Sequence, residues 1–252
     1  MSLLEAHSVT KTFAGISALN EVSLEVDSGE LVGLIGPNGA GKTTFFNCLL
    51  GLLKPDGGSI RFDGKDLTRV PTHGRARLGI ARTFQRIELF VGMTPRQHFL
   101  VADRVRTGRG ALWKDLIHRG GPTSDEQARA QTTVDLLGLG AVADRPVESL
   151  SLGVGRLVEI GRALATQPRI VLLDEPSSGL DRGETAELAE TLKTVHREHG
   201  TAILLVEHDV ELVRTFVNRV YVLDFGTLIA SGETASVFAE GAVRKAYLGD
   251  VV

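Results

Sequence analysis

Apolar and polar residues alternate in two segments of the chain, residues 17–26 and residues 58–64. This period of two is typical of a strand that buries one face. Between these segments, residues 30–35 are apolar on both faces and run into a glycine-rich loop, which leads into a helix-like stretch at 42–50. The pattern predicts a strand, a loop and a helix in immediate succession.

Two further apolar runs occupy residues 170–173 and residues 202–206, and a helical pattern at about 183–198 separates them. Strands that are apolar on both faces and joined through helices are typical of a parallel sheet covered by helices. From about residue 93 to residue 139 the sequence is charged, rich in alanine and leucine, and without strand-like alternation. We interpret that segment as a mostly helical lobe inserted into an α/β core.

Composition narrows the class of protein. The 252 residues are 42% apolar and 23% charged, with 28 basic and 31 acidic side chains, as in an ordinary globular protein. The net charge of -3 gives no electrostatic reason to expect nucleic acid as a partner. Every apolar run is far shorter than the ~20 residues of a membrane-spanning helix, and the N-terminus has no secretory pattern, so we expect a cytoplasmic location. The single cysteine, Cys48, is expected to be a small buried hydrophobe.

The glycine-rich loop matches the phosphate-binding loop of nucleotide-binding proteins. Its glycines let backbone N–H groups turn toward a polyphosphate, and the N-terminus of the following helix favours the same negative charge. Lys42 supplies a point charge for the β and γ phosphates, and Thr43 a hydroxyl for Mg²⁺. A glycine-rich turn without a ligand is the alternative. The predicted nucleotide-binding residues here are Gly36, Pro37, Asn38, Gly39, Ala40, Gly41, Lys42, Thr43 and Thr44.

A pair of carboxylates, Asp174 and Glu175, follows the apolar run at 170–173. Doubly wound sheets bind ligands at the carboxyl ends of their strands, so Asp174 is expected to hold Mg²⁺ directly or through water. Glu175 is then free to polarise the attacking water as a general base. Surface acids that cap the next helix are the alternative. Together with the phosphate loop, the pair predicts hydrolysis of ATP or GTP, and ATP is favoured because the chain has no Asn-Lys pair of the kind that common GTPases use to read the base.

Four more segments carry a specific resemblance. Residues 150–156, Leu-Ser-Leu-Gly-Val-Gly-Arg, resemble the signature loop of ABC ATPases, and Gln85 resembles the glutamine that links the lobes of those proteins. Residues 178–181 and His208 complete the family's motifs in the family's order. The resemblance covers nearly the whole chain.

This resemblance implies the fold class. It is α/β, a P-loop ABC ATPase with a mostly parallel core sheet, an N-terminal antiparallel β subdomain and an inserted helical subdomain. Residues 1–252 would form a single nucleotide-binding domain. Its ATP-binding core is expected at 1–86 and 166–252, and its helical lobe, which includes the signature loop, at 87–165.

The resemblance also implies roles around ATP and Mg²⁺. Gln85 is expected to approach Mg²⁺ and the attacking water, and His208 is expected to contact the γ phosphate. A histidine N–H suits that position because it can donate to charge that grows in the transition state. Phe13 stands where such ATPases stack a ring on adenine, with core packing as the alternative.

The signature loop is expected to act on ATP held by a second ATPase subunit, either another copy of this chain or a paralogue. Ser151 and Gly153 keep the hydroxyl and the open backbone N–H used in that contact, and Asp181 is expected at the subunit interface. The loop departs from the usual form of the family at three positions, Leu152, Val154 and Gly155. The hypothesis that follows is weaker or slower ATP binding between subunits, which Val154→Gln and Gly155→Gln would reverse by raising turnover.

Within the family, residues 81–85, residues 159–165 and the ending from 223 to 249 are most similar to ATP-binding subunits of bacterial branched-chain amino-acid importers. The similarity implies import of those amino acids or related small polar solutes, through two transmembrane permease subunits and with a solute-binding protein, at the cytoplasmic face of the inner membrane. Residues 86–90 and the helical lobe are expected to receive a permease helix. The alternatives are a subunit for urea or amide import or lipid export, an ABC ATPase outside transport, a phosphate-loop kinase, and an inactive regulatory homologue.

Overall fold

The computed structural model describes residues 2–83, 87–107, 121–241 and 243. In chain order the strands of these residues are β1 (Ser2–Phe13), β2 (Ile16–Asp27), β3 (Leu31–Ile35), β4 (Gly57–Phe62), β5 (Lys65–Asp66), β6 (Ile80–Arg82), β7 (Ile170–Asp174), β8 (Ala202–Val206), β9 (Arg219–Asp224) and β10 (Thr227–Glu233). The helices are α1 (Lys42–Leu50), α2 (Thr72–Arg77), α3 (Pro95–Thr107), α4 (Ser124–Leu136), α5 (Leu152–Leu164), α6 (Arg182–His199), α7 (Val210–Phe216) and α8 (Thr234–Val237). Short 3-10 turns lie at Gly140–Val142 and Val147–Ser149.

The core sheet has the strand order β10-β9-β3-β8-β7-β6. All of its neighbouring pairs are parallel except the edge strand β10, which runs antiparallel to β9. The three strands predicted from apolar runs, β3, β8 and β7, lie side by side at the centre, and each of their residues is buried. The prediction of a mostly parallel core sheet is confirmed.

A second sheet, with the order β2-β1-β4-β5, is antiparallel and covers one side of the core. Helix α1 contributes Phe45 and Phe46 to the buried cluster shared by the two sheets, and β3 contributes Val32 and Leu34 to the same cluster. The alternate residues of β3, Leu31 and Ile35, belong instead to a cluster with α5, α6 and α7 on the other face. Both faces of β3 are therefore covered, which explains why its sequence is apolar throughout.

Helices α3, α4 and α5 form the helical lobe, with a core of its own that includes Phe99, Val134 and Val158. Gly161 lets α5 pack closely, because a Cβ at this position would lie 2.5 Å from the Phe99 ring. Helix α3 is tied to α4 by the buried Asp103, whose Oδ2 accepts from Arg129 Nη2 at 2.7 Å. The prediction of a helical lobe after residue 93 is confirmed.

The N-terminal strand β1 is a long element that sequence patterning did not predict. It is 12 residues long and pairs with both β2 and β4. Its pairing with β2 shifts register several times, and Ser8 has a positive φ of 46°. Each irregularity reverses the side that the next residues face, so the period of two is lost. The predicted strands at 17–26 and 58–64 are found as β2 and β4.

Among the described residues, no helix is long and apolar enough to cross a bilayer. Cys48 is fully buried on α1, and burial raises the pKa of its thiol to about 11.

The C-terminal end of α1 is held by a buried arginine. Arg75, on α2, donates from Nη1 to the carbonyl oxygens of Cys48 at 2.9 Å and Leu49 at 2.6 Å. It also donates to Leu67 O at 2.8 Å and to Val70 O at 2.9 Å. A cation at this end of a helix interacts favourably with its dipole, and it provides donors for carbonyls that the helix itself leaves unpaired. Arg75 thereby fixes the helix that begins at the phosphate loop.

Replacing Arg75 with methionine is expected to lower the free energy of unfolding by at least about 2 kcal/mol, because buried carbonyls would lose a charged donor. Urea unfolding measures the change. The matched control is Arg77→Met on the exposed face of the same helix, where we expect a change within about 0.5 kcal/mol. Equal losses in the two variants would contradict a specific role for Arg75.

Candidate functional site

The parallel pairing of three strands brings the predicted chemical groups to one edge of the core sheet. Leu34 of β3 is level with Val206 of β8, and Val206 is level with Asp174 of β7. The chain segments that leave these strands are the phosphate loop, the carboxylate pair, and the segment that contains His208. This is the edge at which parallel α/β sheets bind their ligands.

Close packing requires glycine in the phosphate loop. A Cβ on Gly36 would lie 2.1 Å from the carbonyl oxygen of Leu223, and a Cβ on Gly41 would lie 2.6 Å from that of Ala18. Gly41 also has a φ of 101°, and it is the residue immediately before α1. The loop is therefore held against the sheet while its backbone leads directly into the N-terminus of α1, a favourable place for phosphate.

Lys42 lies in the first turn of α1 with its ammonium folded back over the loop. Nζ donates to Gly36 O at 2.7 Å and to Pro37 O at 3.0 Å. Burial lowers the pKa of Lys42, and the carboxylates of Glu175, Asp174 and Glu207 oppose that effect. The cation thus lies in the field of three carboxylates at the point where a polyphosphate would enter. Thr43 and Thr44 follow it, exposed and half-buried respectively.

Asp174 and Glu175 differ in environment although they are adjacent. Asp174 is 7% exposed, and burial raises its pKa, with a further contribution from Glu175. The positive charges of Arg82 and Lys42 oppose the rise. Glu175 has a φ of 46°, a left-handed conformation that costs a non-glycine residue roughly 1–3 kcal/mol. Its N–H donates to Val206 O at 2.9 Å, which keeps this turn attached to β8.

His208 lies beside the carboxylate pair. Its Nδ1 is 3.9 Å from Glu175 Oε1 and also 3.9 Å from Glu207 Oε2, and its side chain is 57% exposed. The structure therefore brings together the predicted base and the predicted γ-phosphate contact, although they are 33 positions apart in the sequence. The exposed imidazole is free to turn toward a ligand at the edge.

Sequence reasoning missed Glu207, which is fully buried and directly precedes His208. Its Oε1 accepts hydrogen bonds from Ser177 N at 2.9 Å and Ser177 Oγ at 2.6 Å, and its Oε2 accepts from His208 N at 3.1 Å. The available signal was its position, since Glu207 directly follows a two-faced apolar strand, much as Glu175 follows β7.

The signature loop begins α5. Ser151 is the N-cap, and its side chain accepts a hydrogen bond from Val154 N at 3.4 Å. Gly153 lies against α6, where a Cβ would be 3.0 Å from Glu184 Oε1. Arg156 donates to Glu159 at 3.2 Å and to the carbonyl oxygen of Ser178 at 3.4 Å.

The three departures in the signature loop have local packing partners. Leu152 contacts the loop after β7, because a Cβ on Gly179 would lie 2.9 Å from Leu152 Cδ2. Val154 packs against the core of the helical lobe. Gly155 is buried, and a Cβ there would meet Ile87 Cδ1 at 3.4 Å. The apolar residues therefore join this loop to its own lobe and to the segment that follows the carboxylate pair.

The remaining predicted residues are at the surface or outside the described residues. Phe13 is 44% exposed, with Lys11 Nζ 5.4 Å from its ring centroid, so core packing does not account for it. Asp181 is exposed and is the N-cap of α6, where its Oδ1 accepts from Glu184 N at 2.9 Å. Gln85 lies outside the described residues. The roles of these residues stay predictions.

The residues at the edge fit a magnesium nucleotide better than a metal bound by protein alone. In the described part of the chain, no group of three or more His, Cys, Asp or Glu side chains could hold a metal ion. Mg²⁺ is usually held by one or two carboxylates together with waters and substrate phosphates. The Thr43 hydroxyl and the Asp174 carboxylate, next to a phosphate loop, provide that kind of donor set.

Comparisons with known proteins all identify the same family. The family described as ABC transporter matches residues 19–178. LivG, the high-affinity branched-chain amino acid transport ATP-binding protein of Salmonella typhimurium, is 42% identical over 98% of this chain and 98% of its own. LptB, the lipopolysaccharide export system ATP-binding protein of Haemophilus influenzae, is 33% identical over 99% of this chain and 98% of its own.

Solved structures show the same fold. The ADP conformation of an ATP-binding cassette of an ABC transporter has a TM-score of 0.84 and 31% identity, covering 99% of this chain and 100% of its own. A dimeric bacterial ABC transporter cassette has a TM-score of 0.76 and 27% identity, covering 92% of this chain and 98% of its own. The chain belongs to the ABC transporter family, as one of its ATP-hydrolysing cassettes.

Proposed function

We propose that this chain hydrolyses MgATP to power import of branched-chain amino acids or related small polar solutes. The observation that carries the proposal is the 42% identity to LivG across 98% of both chains. Identity to the lipopolysaccharide export protein LptB is lower, at 33%, and lipid export is the second candidate. The full system contains two transmembrane permease subunits, a solute-binding protein and a second ATPase subunit, with this chain at the cytoplasmic face of the membrane.

The residues at the sheet edge divide the chemistry of hydrolysis. When ATP binds, Lys42 exchanges its hydrogen bonds to the loop carbonyls for contacts with the β and γ phosphates. The buried ammonium then donates to charged oxygens in place of neutral ones. Thr43, Asp174 and Gln85 would hold Mg²⁺, which would supply positive charge to offset that of the phosphates. Glu175 accepts a proton from the attacking water, and His208, 3.9 Å away, donates to the γ phosphate.

Each site is completed by the opposite ATPase subunit. Ser151 and Asp181 are exposed at the starts of α5 and α6, and Gly153 lies against Glu184 in the first turn of α6. Their positions fit contact with nucleotide held by the partner, and nucleotide bound more tightly in the closed dimer drives closure. We keep the division into a core at 1–86 and 166–252 and a lobe at 87–165 as part of this proposal, since the lobe has its own buried cluster.

Replacing Glu175 with glutamine is expected to lower phosphate release by at least about 10²-fold while ATP binding is kept, because the general base is lost but the phosphate contacts remain. Phosphate release and equilibrium nucleotide binding measure the two effects. Lys42→Ala is expected instead to abolish ATP binding, because it removes the charge that contacts the phosphates. Wild-type turnover in Glu175→Gln would contradict the assigned role of Glu175.

The signature loop provides a test of its apolar departures. Val154→Gln is expected to raise turnover by restoring a polar flank, whereas Gly155→Gln places a long polar side chain at a buried position beside Ile87 and is expected to lower the midpoint of thermal unfolding. The two variants are measured singly, by phosphate release and by thermal unfolding. Unchanged or lower turnover in Val154→Gln, with stability kept, would count against weakened binding between subunits.

The transport proposal is tested by tagging the chain, extracting it from native membranes with detergent, and identifying the proteins that copurify. Multi-spanning permease chains are expected, and the recovered complex in vesicles should then take up labelled leucine in the presence of ATP and its solute-binding protein. Recovery of lipid-export components would favour the second candidate. Recovery with ribosomes or nucleic acid alone would overturn a role in transport.

A further inference from the structure

Glu207 is a fully buried carboxylate at the end of β8, and the assigned chemistry of hydrolysis does not use it. We propose that Glu207 is a positioning residue for ATP hydrolysis, which holds the turn that carries Glu175 and the backbone of His208 in one fixed arrangement. The inference rests on the ATPase activity of this site, and it goes beyond that activity by assigning the element that sets the geometry between base and histidine.

The two oxygens of Glu207 bind different segments of the site. Oε1 accepts from both the N–H and the hydroxyl of Ser177, at 2.9 and 2.6 Å. Oε2 accepts from the N–H of His208 at 3.1 Å. Ser177 lies two positions after Glu175, so one carboxylate bridges the segment after β7 and the segment after β8. Charge-assisted hydrogen bonds of this kind are shorter and stronger than neutral ones.

The Glu175 turn needs such support because its backbone is strained. Glu175 has a φ of 46°, a conformation that persists only when its surroundings determine it. Val206 O accepts from Glu175 N at 2.9 Å, and Glu175 O accepts from Ser178 N at 3.1 Å. Glu207 adds the contact to Ser177 inside this turn, so the turn is fixed to β8 on both sides of the catalytic carboxylate.

A carboxylate suits this position and an amide does not. The three groups that hydrogen-bond to the Glu207 side chain are all donors: Ser177 N–H, Ser177 O–H and His208 N–H. Glutamine would keep one oxygen and place an NH₂ group against donors at the other end. It would therefore release either the Glu175 turn or the His208 segment, while the phosphate loop and Lys42 are left in place.

The test compares Glu207→Gln with wild type in the complex recovered with the second ATPase subunit and the permease, by measuring phosphate release and ATP affinity, together with thermal unfolding of the full-length chain without nucleotide. We expect kcat to fall about 10- to 100-fold, as for a misplaced catalytic group, with ATP affinity changed by less than about threefold. Ser177→Ala, which removes only the hydroxyl contact, is expected to give a smaller loss of kcat. Glu211→Gln is the matched control, since it neutralises an exposed carboxylate nearby and should keep wild-type kcat.

The decisive readout is the combination of Glu207→Gln with the loss of both groups that it holds, in the double variant Glu175→Gln/His208→Ala. If Glu207 acts through Glu175 and His208, then Glu207→Gln should lower the residual rate of that double variant by less than about twofold, because residues that act as a unit are not additive. A merely structural role would instead add its full loss in both backgrounds, and that result would overturn the inference. Wild-type kcat in folded Glu207→Gln would overturn it too.

Two further outcomes are separated by the same measurements. Should Glu207→Gln fail to fold, Ser177→Ala decides, with lower kcat at unchanged ATP affinity as support and wild-type kcat as refutation. If wild type releases no phosphate from ATP in the complex recovered with its second ATPase subunit and permease, the proposed function fails together with this inference. Wild-type activity with an unaffected Glu207→Gln variant removes only the inference.

Discussion

Parallel hydrogen bonding of β3 to β8 and of β8 to β7 is the constraint on which the site depends. Each strand is short and wholly buried, and the registers place Leu34, Val206 and Asp174 at the same level. Three segments that are far apart in sequence therefore leave the sheet at one edge. The phosphate loop, the carboxylate pair and the Glu207–His208 segment meet there because of backbone pairing, before any contact between their side chains is considered.

Burial on both faces of the sheet removes charged groups at that edge from water and so changes their pKa values. The cluster around α1 covers one face of β3, and the cluster with α5, α6 and α7 covers the other. Lys42 and Asp174 are consequently desolvated, which lowers the pKa of the ammonium and raises the pKa of the carboxyl. A buried charge is least stable when no opposite charge lies near it. The site therefore favours a ligand that carries both negative phosphates, for Lys42, and a cation, for Asp174. The buried Arg75 holds the far end of α1 and so maintains the direction of the helix toward that ligand.

Much of this could be predicted from sequence where the signal is local. The phosphate loop is contiguous, and the runs that form β3, β7 and β8 are apolar on both faces, so their pattern survives without knowledge of contacts. β1 was missed because its register shifts and the positive φ of Ser8 interrupt alternation. Glu207 was missed because its partner, Ser177, is 30 positions away and no motif spacing marks the pair. The packing of Leu152 against Gly179 is likewise visible only in the fold.

Amide hydrogen exchange with and without MgATP tests whether the carboxyl ends of β3, β7 and β8 form one nucleotide site. A single site at this edge predicts slower exchange with MgATP in three segments together, at residues 36–44, 174–178 and 207–209, with little change in β4 and β5 of the antiparallel sheet. Protection confined to one of the three segments, or found elsewhere in the chain, would contradict a single site at this edge.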